Sequence, residues 1–298
     1  MKYTTASAFR RALEQRLATL ANQLAVPLAR LRKLVVFDRL MARLRIVAPS
    51  GWFLKGAVAL NFRVGPRFRT TKDLDLCRYD NEKAATADFL AAQSVDLGDY
   101  FTFDIERTGK LDPDTENATV RYHVTAQLAG RRFDDITVDV GFRDPIISEP
   151  EIVRGPDLLS FADIPPVEVP TLSLEQHVAE KVHAYTRRYV GGMTSSRVKD
   201  LIDLVMISSL FALNAGRLRQ VLKAIFIARG THPLPTALPL PQSLWRTAYR
   251  KIASEVGLDV DMAAGYEQVR TFVAPVLAGT IPDAAQWDPV KHRWQRMK

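Results

Sequence analysis

The sequence predicts an α/β (α+β) chain: an N-terminal lobe in which helices and strands mix, then a lobe made mostly of helix. Two patterns carry this. Between 72 and 142, segments rich in β-branched and aromatic residues or alternating in polarity ("KDLDLCRY", "FTFDIERT", "TVRYHVTAQL", "FDDITVDVGF") are separated by turn residues such as "GKLDPDTEN" and "AGRR". From about 171 onward, helical spacing runs through 173–190, 197–213, 215–229, 242–256 and 263–278. The proline-rich "IPPVEVP" (164–170) lies between, so the expected lobes are 1–170 and 171–298.

Each element has its own signal. Phe9, Leu13, Leu17, Leu20 and Leu24 mark a first helix over 5–25, and Leu34, Phe37, Met41 and Leu44 a second over 28–46. "GWFLKG" (51–56) reads as a short buried strand ended by glycine. "AVALNFRVG" then reads as a short helix closed by Gly65 and Pro66. Ser173 and Gln176 have the spacing of a capping box at the start of the first helix of the second lobe.

Composition bounds the function. The 298 residues carry a formal net charge of +8, which favours an acidic partner such as RNA. The single cysteine, Cys77, excludes an internal disulfide and a thiolate metal cluster. No stretch reads as a signal peptide, and the apolar run at 201–213 is short and contains Asp203. A cytoplasmic protein with no membrane partner is expected. H-E-x-x-H, G-x-S-x-G and P-loop patterns are missing from the sequence, which leaves zinc protease, α/β-hydrolase and Walker ATPase readings without support. The five histidines show no metal spacing.

The stretch "LKGAVALNFRVGPRFRTTKDLDL" (54–76) holds the chemistry. Asp73 and Asp75, two apart in a strand, project from one face. Two carboxylates so close repel unless a cation sits with them, and Mg²⁺ takes one or two carboxylates plus water and phosphate oxygens. A solvent-facing strand edge is the bland alternative. In "DITVDV", Asp139 lies on the polar side of a strand whose Ile136, Val138 and Val140 face the other way, so it can join the pair. Asp134 and Asp135 read as turn or surface charges. Gly56 and Ala57, just before a helix, can bring backbone N–H groups to a triphosphate, or form an ordinary strand-to-helix turn. Lys181 sits at the edge of the stripe Leu174, Val178, Val182 and Tyr185, either snorkelling or aimed into a cleft. Asp200 and Asp203 share a helical face one turn apart.

Together these residues resemble the signature of the AbiEii/AbiGii-type (MenT-like) nucleotidyltransferase toxins: K-G-G-x-A-L, then an arginine and a Ser or Thr, then D-[IL]-D-L. "LEQHVAEKVHAY" (174–185) is similar to the family's A-E-K helix, and "SRVKDLIDL" (196–204) to its R-x-[KR]-D-[LI]-x-D-L helix. The motifs run in the family's order over about 54–204. Ala57 stands where the family has a second glycine, and the gap holding "TRRYVGGMTSSR" is longer than usual. The resemblance implies the DNA polymerase β-like fold, with a mixed-sheet nucleotidyltransferase N-terminal lobe and an α-helical C-terminal lobe completing the cleft. It further implies transfer of NMP from an NTP to the 3′ end of tRNA with Mg²⁺ or Mn²⁺, blocking aminoacylation and translation, and a cognate antitoxin.

In this scheme Asp73 and Asp75 bind metal, Lys181 contacts the nucleotide phosphates, and Asp200 is the acid of the last motif. Lys55, Gly56, Ala57, Arg69, Thr71, Asp139 and Asp203 complete the nucleotide site. Thr71 is the position at which related toxins are phosphorylated by their antitoxin, with Thr70 beside it. A nucleotidyltransferase acting on a protein or small molecule, or a non-catalytic nucleic-acid-binding protein, is the alternative. Arg63, Arg67 and Arg69 can hold triphosphate or RNA, or lie in a solvated loop. "RRYVGGMTSSR" can form an RNA-contact loop. The tail "KHRWQRMK" reads as a loose terminus or as a stacking surface for single-stranded RNA.

Overall fold

A computed structural model describes residues 1–66, 68–69, 71–111, 119–142, 144–187 and 197–296, with backbone only at 110 and 111. The chain divides into two units, one made of Met1–Asp144 and Pro150–Leu172, the other of Pro145–Glu149 and Ser173–Lys298.

The first unit is built on a mixed sheet. Its strands are β1 (Phe53–Lys55), β2 (Asp73–Cys77), β3 (Phe101–Leu111), β4 (Thr119–Leu128), β5 (Arg131–Gly141), β6 (Glu151–Arg154) and β7 (Glu168–Thr171), in the spatial order β3-β4-β5-β2-β1-β7-β6. The β2–β5 and β1–β7 pairs are parallel and the others antiparallel. The alternation read from the sequence divides the sheet's two faces. Leu74, Leu76, Val120, Tyr122, Ile136, Val138 and Val140 are buried. Helices α1 (Ala6–Leu24), α2 (Leu28–Val47) and α4 (Glu82–Gln93) bring Phe9, Leu13, Phe37 and Phe89 into the same core. Each such side chain removed from water contributes about 1.5–3 kcal/mol. Asp73, Asp75, Thr137, Asp139 and Arg121 occupy the other, half-buried set of positions.

Two local devices set the register of the acids. Ala129 (φ 54°) and Gly130 (φ 68°) make the tight turn between β4 and β5, pairing Leu128 with Arg131. A β-bulge between Ala126 and Gln127 then shifts the ladder by one residue. Without that shift Arg121 would stand opposite Val138; with it, Arg121 stands opposite Asp139.

The second unit packs α5 (Leu174–Thr186), α6 (Val198–Leu210), α7 (Ala215–Arg229), α8 (Arg246–Glu255) and α9 (Met262–Leu277), and closes with a hairpin of β8 (Ala285–Asp288) and β9 (Arg293–Arg296). The hairpin corrects the expectation of a loose terminus. Trp294 stacks on Phe272 (5.8 Å between centroids, 15° between planes) and donates its indole N–H to the Phe272 carbonyl at 2.9 Å. A ring so engaged is part of the fold.

Candidate active site

β2 places the two acids. Leu74 and Leu76 are fully buried, so Asp73 and Asp75 share the opposite face. Immediately before them, Thr71 accepts a hydrogen bond from the Asp73 N–H (3.3 Å) and donates to the Asp73 carbonyl (3.1 Å), fixing the entry to the strand.

Asp75 is the hub of a cross-strand row. In register, Arg121 of β4 stands opposite Asp139 of β5, Asp139 opposite Asp75 of β2, and Asp75 opposite Lys55 of β1. Two carboxylates thus lie side by side with a cation at each end. Arg121 grips Asp139 with both forks, at 2.8 Å and 2.8 Å. Those hydrogen bonds, opposed by desolvation and reinforced by the charges of Asp139, Asp73 and Asp75, hold the guanidinium above its ordinary pKa. Lys55 is bonded to Asp144. Burial alone would push its ammonium down, but Asp144, then Cys77 and Asp75, outweigh burial and hold it above its ordinary value.

Glycines give these groups their room. Gly56 opens α3 (Gly56–Val64) with φ +65°, and a Cβ there would lie 2.0 Å from a carboxylate oxygen of Asp75. A Cβ on Gly141 would lie 2.1 Å from Asp144 and 3.3 Å from the Lys55 ammonium. Ala57, next along, is buried in the first turn of α3, where its carbonyl accepts from Asn61 Nδ2 at 2.8 Å. The donor set of Asp73, Asp75 and Asp139 is all oxygen, the choice of a hard divalent cation, and the Gly56 hollow holds one of its carboxylates in place. Among the described residues, no three His, Cys, Asp or Glu side chains already converge as a metal cluster.

Two of the arginines in and just after α3 are more structural than the composition suggests. Arg63 is bound to Glu151 (2.7 Å) and to the Leu172 carbonyl (2.8 Å), so it braces the first unit instead of lying in a solvated loop. Arg69 is also buried, and Arg67 and Thr70 lie outside the described residues.

In the second unit, Ser173 caps α5 by accepting from the Gln176 N–H at 3.2 Å. The reciprocal half of the expected box does not form. The Gln176 side chain instead bonds the Ile147 N–H (3.1 Å) and the Pro145 carbonyl (2.5 Å). Lys181 lies between the two acids of α6, 2.8 Å from Asp200 and 2.7 Å from Asp203. Arg197 adds a second cation to Asp200 at 3.1 Å. Asp203 is fully buried, so its carboxylate anchors Lys181 and has no exposed surface of its own. Most of the "RRYVGGMTSSR" stretch lies outside the described residues.

Sequence reasoning missed Arg121 and Asp144, which hold the outer ends of the row. Asp134 and Asp135, read as turn or surface charges, lie within β5. Asp134 holds Lys33 at 2.8 Å.

A family model and solved structures resemble the chain. The family "Nucleotidyl transferase AbiEii toxin, Type IV TA system" matches residues 39–274. Among solved structures, the chain is similar to MenT4, a nucleotidyltransferase toxin from Mycobacterium tuberculosis H37Rv, with a TM-score of 0.56 and 19% identity over 89% of this chain and 99% of that one. At that identity the likeness is one of fold. JHP933 from Helicobacter pylori aligns at 17% identity with a TM-score of 0.45, covering 83% of this chain and 93% of its own. No curated protein sequence matches. With a family match running through both units and covering Asp73, Asp75, Lys181 and Asp200, the chain belongs to the AbiEii nucleotidyltransferase toxin family of type IV toxin–antitoxin systems.

Proposed function

We propose that this toxin transfers NMP from an NTP to the 3′ end of tRNA, blocking aminoacylation and translation. The observation that carries the reading is the Asp73–Asp75 pair on one strand face, with Asp139 alongside, in a chain of this family. The net charge of +8 favours an RNA acceptor over a small molecule. In the reaction, the terminal 3′-hydroxyl oxygen bonds to the α-phosphorus, the α–β anhydride bond breaks, pyrophosphate leaves and the hydroxyl proton passes to solvent water. Asp73 and Asp75 would hold Mg²⁺ or Mn²⁺, which when bound supplies charge neutralisation for the phosphates.

This chain's own groups do the positioning. The α3 N-terminus at Gly56 and Ala57, with Lys55 and Arg69, is assigned to the triphosphate. Lys181, held by Asp200 and Asp203, is assigned to the nucleotide phosphates by the family resemblance, as a point charge. Control is assigned to the antitoxin, acting by phosphorylation of Thr71. Its hydroxyl lies two residues before Asp73 and is bonded to that residue's backbone. A phosphate there would add about −1.5 to −2 charge beside the acids.

The test is incubation of the protein with total RNA and each labelled NTP, followed by mapping of 3′ additions. Label on tRNA 3′ ends, lost in Asp73→Ala with an unchanged melting curve, is the expected result. Label on protein alone, or transfer retained by Asp73→Ala, would overturn the reading.

A further inference from the structure

The two cations that end the acid row are held differently. Lys55 is tied to Asp144, whose side chain is 5% exposed and closed in by Gly141. Arg121 is 39% exposed, and its bidentate partner Asp139 is 14% exposed. Lys55 itself is 24% exposed, so Arg121, at 39%, is the more exposed of the two cations. Its grip also engages both oxygens of Asp139, the acid that stands beside Asp75. Neighbouring carboxylates need a counter-cation to remain ionised together. A guanidinium and a divalent cation are two solutions to that one requirement, and both want the same oxygens of Asp139.

We infer that Arg121 is the resident counter-cation of the acid row and competes with divalent metal for Asp139. Metal binding displaces it, and Arg121 is a positioning residue that sets how much metal the site needs. This rests on the reading of Asp73 and Asp75 as metal ligands. The β-bulge between Ala126 and Gln127 belongs to the device, because it alone brings Arg121 into line with Asp139.

Mn²⁺ binding to the full chain, followed by electron paramagnetic resonance without nucleotide or RNA, tests the inference. Removing a partly exposed ion pair, taken on the scale of surface pairs, releases about 0.2–1 kcal/mol, so Arg121→Gln is expected to bind Mn²⁺ up to about fivefold more tightly than wild type. Arg121→Lys, which keeps the charge but loses the fork, should fall between, and covers the case in which the Gln variant does not fold. In an Asp139→Asn background the Arg/Gln difference should vanish. Equal or weaker Mn²⁺ binding by Arg121→Gln, with Asp73→Asn abolishing binding, would overturn the competition and leave the metal reading standing. Mn²⁺ binding that is indifferent to Asp73→Asn would overturn both.

Discussion

Asp75 and Asp139 stand opposite each other across the parallel β2–β5 pair, each with a cation at its outer side. Like charges one strand spacing apart, about 4.8 Å, repel; the flanking Lys55 and Arg121 offset that repulsion. The row therefore depends on four strands keeping register.

Gly56 is the tightest steric point in it. Gly56→Ala forces a side chain into the left-handed region, costing about 1–2 kcal/mol. It also drives a methyl into the Asp75 carboxylate. Urea denaturation should show that loss, and NMP incorporation should fall by an order of magnitude or more, since a displaced reacting group costs about 10²-fold per ångström. Wild-type incorporation would mean that Asp75 can move without consequence.

Lys181→Ala should unsettle the helical unit as well as its chemistry. The change leaves Asp203 buried without the cation 2.7 Å away, a loss of about 3–5 kcal/mol for a broken buried pair. Adding Asp203→Asn should restore a large part of it. Thermal melts of the single and double variants check this, and the double variant then reports on nucleotide use apart from folding. A single variant that melts like wild type would remove the anchoring role.

Acid should destabilise the helical unit. Burial, then His232 and the arginines Arg229, Arg187 and Arg197, push the His183 imidazole down to about 4. Its Nε2 lies 2.9 Å from the Thr231 hydroxyl. The unfolded chain takes up the proton near 6.5 and the folded one only near 4, so stability falls as pH drops through that window. Urea midpoints at stepped pH should show the slope, reduced in His183→Gln; a slope unchanged by that substitution would assign it elsewhere.

Co-expression with the cognate antitoxin should yield toxin carrying one phosphate at Thr71, detected by mass spectrometry, and no transfer activity. Thr71→Val should remain unmodified, and whatever transfer activity it keeps should be the same with and without the antitoxin. Full inhibition with Thr71 unmodified would point to inhibition by binding.

The acids were legible in the sequence because a strand's period of two is unforgiving: Leu74 and Leu76 could be buried only if Asp73 and Asp75 were not. The helix α4 was not, since its buried side is Ala85, Phe89 and Ala92, and small residues give little periodic contrast. β7 hid behind its prolines; Pro170 pairs with Ile152 in a strand that reads as a linker. Arg121 was invisible for a different reason. The turn at Ala129 and Gly130 predicts the wrong partner for it, and only the bulge corrects the register. Lys181 was found by spacing and family likeness, but its two acid partners emerge only from the packing of α5 and α6.

The pairing of Leu54 with Thr171 has a consequence for how the toxin is made. β1 sits inside the sheet, yet its second neighbour is the last strand of the first unit to leave the ribosome. At about 5–20 residues per second, synthesis separates the two by roughly 6–23 s. During that interval the nascent β1 has one edge open, Lys55 waits for Asp144, and Arg63 waits for Leu172. Contacts this far apart in sequence also form slowly once available. Newborn toxin is therefore incomplete for a period set by translation itself.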